Sequence, residues 1–262
     1  VDGARFGHAA RVVNVIDARQ AYLQRVVRDA LDRLGHHAQA ENSIHLAYEV
    51  VALTPAAARE LGVEVADGGP AVVALSGRRG IEVRADDLLD LAIAKLRDKA
   101  RDEDTAKALA AAAVRYYLLK FSLTQIIAFD FDEALRVTGD TGVYLQYAHA
   151  RAAGILRKTG DDDGRDVPVP AELLAVERAL LHRIDAYPRA AAESAASLAP
   201  GVLAVYAFTL ASAFSDFYEH TPPIVREEDA QLRRFRRALT AATRATLGDA
   251  LRTLGMAALD EV

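Results

Sequence analysis

Tyr147, Arg151 and Lys158 are the residues of this chain whose types and spacing best suit binding chemistry. Arg151 follows Tyr147 by four residues, and Lys158 follows Arg151 by seven; a glycine-containing turn precedes all three. A helix therefore brings them to one side. An exposed aromatic ring with two cations behind it can stack an unpaired nucleic-acid base and hold its phosphates. The alternative is an ordinary helix that carries a Tyr and an Arg on its outer face.

A second candidate is the basic loop 75–80, which reads Leu-Ser-Gly-Arg-Arg-Gly. Arg78 and Arg79 are adjacent cations held between glycines. Such a pair could clamp a triphosphate and stabilise the charge that develops on it during reaction. From these six residues alone, a basic hairpin tip is the competing interpretation.

The composition predicts a protein that buries a substantial core and is rich in helix. Of the 262 residues, 52% are hydrophobic and 26% charged, and Gly and Pro together number only 24, as 16 and 8. This favours one large domain or two ordinary ones. The lack of cysteine excludes disulfides and thiolate metal sites, and is compatible with a reducing cytoplasm.

The charge and hydropathy patterns exclude some partners. A net charge of −5 argues against a protein that coats nucleic acid, but not against a local contact, because the segment 223–262 is rich in arginine. We expect no signal peptide and no membrane-spanning helix. The first residue is Val1 rather than Met, so we expect a trimmed chain or part of a longer one.

Residues 11–81 alternate between strand and helix patterns, as in the last part of an open parallel sheet. Ligands bind at the carboxyl ends of the strands in such sheets. Thr54 is the predicted N-cap of a short helix over 55–61, and the segment 67–70 is a predicted turn. The predicted strands are 12–17, 44–53 and 71–75, and the predicted helices are 19–34 and 55–61.

From residue 84 onward the pattern is almost entirely helical, which predicts connecting helices over 84–130 and a helical bundle over 131–262. Leu145, Ala148, Ala152 and Ile155 form an apolar face that should pack on the core of this bundle. The acidic stretch 160–166 is interpreted as a solvated linker, since it lacks calcium-ligand spacing. The predicted helices are 85–102, 104–120, 141–158, 171–186, 201–219 and 227–255.

The stretch from Asp130 to Lys158, DFDEALRVTGDTGVYLQYAHARAAGILRK, resembles the entry to the helical anticodon-binding domain of arginyl-tRNA synthetases. That family typically reads G-(N/D)-T-x-x-Y-x-Q-Y-x-x-x-R after an aspartate-rich segment. The matching residues are Gly139, Asp140, Thr141, Tyr144, Gln146, Tyr147 and Arg151.

This resemblance implies an arginine tRNA as partner. It places seven residues at the tRNA, namely Tyr144, Gln146, Tyr147, Arg151, Lys158, Tyr218 and Arg237. Tyr218 lies in a helix end that resembles the family's F-x-x-F-Y, where Phe214 and Phe217 are expected in the core. Arg237 is one of several arginines that recur at helical spacing with Arg233, Arg236 and Arg244. A solvated face balanced by nearby acidic residues is the alternative for these arginines.

The same resemblance implies that residues 1–83 are the C-terminal part of a Rossmann-like α/β catalytic domain, and it implies a chemistry for them. It likens the basic loop to the mobile KMSKS-type loop of class I synthetases, with Ser76, Arg78 and Arg79 at the nucleotide. Leu75 stands where a subset of the family has Met, and Arg79 where it has Lys, which changes the donor geometry. Gln20 would lie beside the arginine pocket, and His45 and Glu49 near the adenosine. ATP is then a substrate, with Mg in the complete enzyme, and no metal site is predicted in this chain.

The resemblance covers about residues 11–255 but corresponds only to the C-terminal part of the family. No HIGH-type motif is present: His8 stands alone, and His36-His37 lies at a helix end. The isolated chain is therefore predicted not to aminoacylate tRNA. Two other interpretations remain open, a non-catalytic synthetase-like paralogue that binds tRNA or a partner protein, and a helical scaffold without an RNA role.

Overall fold

The computed structural model describes residues 9–66, 70–74, 83–160, 167 and 169–262. The predicted turn at 67–70 and the predicted linker at 160–166 fall mostly outside these residues. The strands are β1 (Val12–Asp17), β2 (Ser43–Tyr48), β3 (Val51–Leu53) and β4 (Ile127–Phe129). The helices are α1 (Ala21–Arg33), α2 (His37–Glu41), α3 (Pro55–Glu60), α4 (Ala85–Leu96), α5 (Glu103–Leu119), α6 (Phe131–Ala134), α7 (Gly142–Thr159), α8 (Ala175–Asp185), α9 (Tyr187–Ser197), α10 (Pro200–His220) and α11 (Ala230–Thr253).

Residues 12–48 form a small unit, which we call the βαβ unit. β1 and β2 pair in parallel, from Val12 opposite Ser43 to Asp17 opposite Tyr48, and α1 makes the crossover between them. Gly35 ends α1 with a positive φ of 85°, a conformation that glycine adopts without a Cβ penalty. No residue of α1 is buried.

The predicted strand over 44–53 is wrong in one respect, because the structure divides it between two sheets. β2 pairs with β1, whereas β3 pairs in parallel with β4. A single charged residue, Glu49, within this strand-like run is too weak a signal of the break at Glu49 and Val50. The partner strand β4 is only three residues long and gives little further signal. The predicted strand over 71–75 is also not formed, since only Val73 of its described residues pairs, as an antiparallel bridge to Leu53.

The helical part contains two buried clusters. One surrounds α10, with Leu203, Leu210 and Phe214 buried against α7, α8 and α11. The other joins β3 and β4 to α4 and α5, with Phe129 and Leu96 at its centre. The α/β region followed by a mainly helical region confirms the predicted fold class. The exact domain boundaries stay a prediction.

Helix α10 is long and apolar enough to cross a membrane by length and composition alone, within a candidate span of Pro200–Arg226. Its position explains that composition. Leu203, Leu210, Phe214 and Phe217 are each at most 2% exposed and pack against neighbouring helices. The apolar character of α10 is therefore that of a central core helix.

Two glycines allow helices to approach closely. A β-carbon at Gly142 would overlap the backbone carbonyl of Ala112 and would lie 2.9 Å from Cβ of Tyr116. A β-carbon at Gly248 would lie 2.9 Å from Nε2 of His149. The absence of a side chain at these positions brings α7 against α5 and α11, which fixes the helix that carries the candidate site.

Candidate nucleic-acid interface

The turn ahead of α7 is set by local hydrogen bonds. Thr141 is the N-cap: its Oγ1 accepts from the amide of Tyr144 at 3.1 Å and donates to the carbonyl of Arg136 at 2.7 Å. Gly139 has a positive φ of 81°. The Gly-Asp-Thr sequence thus forms a tight turn and starts the helix at a defined residue.

Helix α5 holds this turn in place. The hydroxyl of Tyr116 donates to the carboxylate of Asp140, and Lys120 Nζ donates to the Asp140 carbonyl at 2.9 Å. Lys120 also lies over the ring of Tyr117, 5.2 Å from its centroid. Burial, together with the Asp140 carboxylate, raises the pKa of Tyr116, so its hydroxyl remains a donor. The start of α7 is therefore positioned by contacts across more than twenty residues of chain.

Tyr147 and Arg151 line one open pocket of about 360 Å³. Tyr147 is partly buried rather than exposed as predicted, and its hydroxyl donates to the carbonyl of Lys99 at 3.0 Å. Arg151 is exposed. The remaining walls include Tyr144, Ser215 and Glu219, which makes the pocket aromatic on one side and polar on the other.

Tyr218 links this pocket to a second one. The Arg151 guanidinium lies over the Tyr218 ring, 5.2 Å from its centroid, a distance typical of a cation–π contact. Tyr218 and Lys158 in turn line a pocket of about 140 Å³ whose other walls include Pro222 and Pro223. Tyr147, Arg151, Tyr218 and Lys158 thus form one continuous surface, which we call the aromatic face.

The other predicted tRNA contacts differ: Gln146 is inaccessible in this arrangement, Tyr144 lines the same pocket as Tyr147, and Arg237 lies elsewhere. Gln146 is fully buried, and its Nε2 donates to the carbonyl of Ala257 at 2.9 Å. Tyr144 is partly buried, and its hydroxyl hydrogen-bonds with Ser215 Oγ at 2.8 Å. Arg237 donates from Nε to the carbonyl of Gly160 at 2.8 Å, away from the aromatic face. Their roles in tRNA binding stay predictions.

The arginines of α11 do not all lie on a solvent-exposed face, which is the alternative that their spacing allows. Arg236 is 4% exposed, with Nε 2.8 Å from Glu177 Oε1 and Nη1 2.6 Å from Glu227 Oε2. Glu177 also accepts from the amide of Leu174 at 2.9 Å. Arg236 therefore joins α11 to α8 inside the bundle, and the helical spacing did not reveal its buried partners.

Two residues of the βαβ unit that are predicted to bind substrates lie at one edge of its sheet. Gln20 and Glu49 follow the carboxyl ends of the paired strands β1 and β2, where a parallel sheet binds ligands. Asp17 caps the turn Ala18–Gln20 that follows β1 and accepts from Arg19, whose guanidinium lowers the pKa of Asp17 to about 2. His45 is separate, since its Nε2 donates to the carbonyl of Ile16 at 3.0 Å.

The candidate catalytic residues Arg78 and Arg79 and the candidate ATP-binding residue Ser76 lie outside the described residues, as does Leu75. Their assignment stays a prediction. Within the residues that the structure describes, no group of three or more His, Asp or Glu side chains is arranged to hold a metal ion.

Sequence reasoning missed two walls of the aromatic pocket. Ser215 and Glu219 lie on α10 and reach Tyr147 and Arg151 only through the packing of α10 on α7. Both lie within residues 212–219, the helix end that also contains Phe214, Phe217 and Tyr218. Their four-residue spacing was the available signal, because it puts them on the same side of α10.

Comparison with known proteins accounts for this architecture. Residues 145–262 match the DALR anticodon binding domain. The arginine–tRNA ligase of Frankia casuarinae is 38% identical over 96% of this chain, and that of Deinococcus radiodurans is 36% identical over 97%. The chain spans only about two-fifths of these relatives, 41% and 42% of their lengths.

Solved structures give the same correspondence. The arginyl-tRNA synthetase of Thermus thermophilus superposes with a TM-score of 0.80 at 32% identity, over 97% of this chain and 41% of that one. The arginyl-tRNA synthetase of Plasmodium falciparum, at 19% identity and a TM-score of 0.67, shares the fold.

The class follows from the fold and the domain match together: the chain corresponds to the C-terminal part of aminoacyl-tRNA synthetases, with an α/β segment followed by a helical region that matches an anticodon-binding domain. Within that class it belongs to the arginyl-tRNA synthetase family.

Proposed function

We propose that this chain binds the anticodon region of an arginine tRNA and serves an arginine–tRNA ligase as its C-terminal part. The match to arginine–tRNA ligases along 96% of the chain is the observation that carries the proposal. In the complete enzyme, ATP activates arginine, with Mg²⁺ as its counterion, and the amino acid passes to the tRNA in the cytoplasm. No described residue of this chain is assigned to Mg²⁺.

The aromatic face supplies the chemistry for the tRNA contact. Tyr147 and Tyr218 are aromatic surfaces on which unpaired bases can stack, and Arg151 and Lys158 are cations beside them. Stacking on aromatic rings and charge-assisted bonds to phosphate are the usual means of holding single-stranded RNA. The hydrogen bond from the Tyr147 hydroxyl to the Lys99 carbonyl already restricts the Tyr147 ring, so the ring loses little conformational freedom when a base binds.

The catalytic part of the proposal rests on the N-terminal residues. Arg78 and Arg79 would hold the triphosphate, with Ser76 beside them, and Gln20, His45 and Glu49 would line the arginine and adenosine sites. The protein's contribution to this reaction is positioning of the substrates and stabilisation of charge at the phosphates. Because the chain spans about two-fifths of its relatives, we propose that it does not aminoacylate alone.

Binding of the purified chain to an arginine tRNA transcript, at two salt concentrations, tests the proposal. We expect salt-sensitive binding that weakens when the anticodon of the transcript is exchanged. Arg151→Gln should weaken binding about tenfold, since a specific arginine contact contributes about 1–3 kcal/mol. The matched control is Arg189→Gln, which removes the same charge from an exposed position on α9.

Equal affinity for both transcripts would contradict anticodon recognition. Equal losses in Arg151→Gln and Arg189→Gln would mean that only net charge matters and that the aromatic face is not the site. Turnover by the isolated chain in an aminoacylation assay with ATP, arginine and tRNA would contradict the need for a further catalytic part.

A further inference from the structure

The last eight residues, 255–262, form a tail that is anchored to α7 by its backbone. The carbonyl of Ala257 accepts from Gln146, and the carbonyl of Leu259 accepts from Nδ1 of His149 at 2.8 Å. Both donors are buried. These two bonds fix the course of the tail up to residue 259 without using any of its charged groups.

Beyond the anchor, two carboxylates hold three guanidinium groups. Arg244 Nη2 lies 2.7 Å and 2.9 Å from the two carboxylate oxygens of Asp260. Glu261 lies 3.1 Å from Arg157 Nη2 and 2.5 Å from Arg101 Nη1. The three arginines come from α11, α7 and the loop before α5, so the tail end gathers cations from three separate elements.

These arginines have the geometry of a phosphate-binding surface. A guanidinium binds a phosphate with the same paired N–H donors that it presents to a carboxylate. Arg157 and Arg244 line a pocket of about 240 Å³ together with Arg237, and Asp260 of the tail forms one of its walls. An acidic side chain thus lies where three arginines converge.

The ion pairs that Asp260 and Glu261 form at the end of the tail are suited to exchange with another anion. The side chains of Arg101 and Arg157 are 56% and 53% exposed, and that of Glu261 is 47% exposed. Ion pairs with this exposure are weak because water and salt screen them. A polyanion could therefore replace the two carboxylates while the hydrogen bonds from the buried Gln146 and His149 keep Ala257 and Leu259 in place.

This arginine surface is distinct from the aromatic face. Arg157 follows Arg151 by six residues on α7, which places the two about 120° apart around the helix. Arg151 contacts Tyr218 on α10, whereas Arg157 faces the tail. The bases or phosphates of a nucleic acid that bind one of these two surfaces therefore cannot also occupy the other.

We propose that Arg101, Arg157 and Arg244 form a second RNA-binding surface, which contacts backbone phosphates and is masked by Asp260 and Glu261 when RNA is absent. The tail end acts as a phosphate mimic that an RNA backbone displaces. This rests on the proposed binding of RNA by the chain, but it does not depend on anticodon recognition. The masked surface adds affinity that is independent of base sequence.

The test is binding of an arginine tRNA transcript to the chain with Asp260→Asn and Glu261→Gln, which keep the shape of the tail and remove its charge. We expect about tenfold tighter binding at low salt and a steeper salt dependence, by roughly two units of log–log slope, because the three arginines would meet phosphates without two carboxylates having to be displaced. The control pair is Asp185→Asn with Glu193→Gln, which changes net charge equally at exposed positions on α8 and α9.

Adding Arg157→Gln to the neutralised tail should remove a large part of the gain. An affinity and a salt slope equal to those of the control pair, or weaker binding by a neutralised tail in a folded chain, would overturn the proposal. Arg157→Gln in the otherwise unchanged chain is a second test, for which we expect a smaller loss of affinity than for Arg151→Gln, because Arg157 gains its phosphate contact only by giving up its pair with Glu261. A loss as large as that of Arg151→Gln would overturn masking.

The anticodon exchange separates the two proposals. Tighter binding by the neutralised tail that is equal for both transcripts supports the masked surface even where the unchanged chain fails to distinguish anticodons. Discrimination between anticodons without any effect of the tail charges supports the proposed function alone.

Discussion

The βαβ unit and the helical bundle bury their apolar residues to very different extents. In the βαβ unit, Val15, Tyr22 and Leu34 are 62%, 67% and 73% exposed. In the bundle, Leu210 and Phe214 are fully buried. Both regions are rich in apolar residues, so the difference lies in partners and not in composition.

The difference teaches that only one region is complete as a folding unit. A two-stranded sheet with one helix is too small to exclude water from its apolar residues, and β1 pairs with β2 alone among the described residues. The apolar surface of β1 and α1 is what a larger parallel sheet would cover. We therefore expect the stability of this chain to come mainly from the bundle and its neighbouring cluster.

Among the polar residues, the largest expected effect is that of breaking the buried ion pair of the bundle. Glu177→Ala should lower the free energy of unfolding by about 3 kcal/mol, because it leaves Arg236 buried with Glu227 as its remaining carboxylate. Urea unfolding measures this loss. Glu193→Ala, at an exposed position on α9, is the control and should change stability by less than about 0.5 kcal/mol.

A smaller loss is expected where α5 and α7 touch. Gly142→Ala should cost about 2 kcal/mol, since its β-carbon would overlap the Ala112 carbonyl and separate the helices. Gly154→Ala is the matched control on the same helix, where the nearest atom is Arg157 Nη2 at 3.8 Å. That change should stabilise by about 0.5–1 kcal/mol. Equal stability of the two variants in thermal melts would show that the close approach is not needed.

His149 gives the bundle a contribution to stability that depends on pH in the neutral range. Burial lowers the pKa of His149, which is 3% exposed, and the charges facing it are Arg244, Arg252 and Asp260. The unfolded chain therefore binds a proton more readily, so stability is full above pH about 6.5 and falls as the pH drops below that value. His149→Asn, whose amide can still donate to Leu259, should flatten this fall in melts between pH 7.5 and pH 5.

That expectation has a clear opposite outcome. If the wild-type chain and His149→Asn lose stability in parallel on acidification, carboxylates elsewhere in the fold account for the pH dependence, and the burial of His149 has no measurable part in it.

The smallest effect is expected in the βαβ unit. Val26→Ser changes an apolar residue that is 45% exposed on α1, so the unfolding free energy of this chain should move by less than about 0.5 kcal/mol. Leu210→Ala in the bundle should cost about 2–5 kcal/mol. A large loss in Val26→Ser would break the comparison, because it would mean that the βαβ unit carries stability despite its exposure.

The long helices were predictable because their signals are local. A predicted helix over 141–158 is observed at Gly142–Thr159, and one over 201–219 at Pro200–His220. The predictions failed where the signal was short or ambiguous. Helix α9 was missed because Pro188 reads as a break, although proline also suits the first turn of a helix.

The candidate site was predictable only along a single helix. Spacing placed Tyr147 and Arg151 together, and the structure puts them in one pocket. It could not place Tyr218 over Arg151, nor the tail over Arg157 and Arg244, because these contacts join residues far apart in the chain. Local periodicity carries no information about which distant element packs against a helix.

Strand β3 has its partner far along the chain, and this bears on how the protein emerges during synthesis. Leu53 pairs with Phe129, and the Thr54 hydroxyl donates to Asp130 at 2.8 Å, a separation of 76 residues. At about 5–20 residues per second, a ribosome takes about 4–15 s to add that length. For those seconds the edge of β3 is without β4, so a nascent chain stalled before residue 127 is the species we expect chaperones to bind.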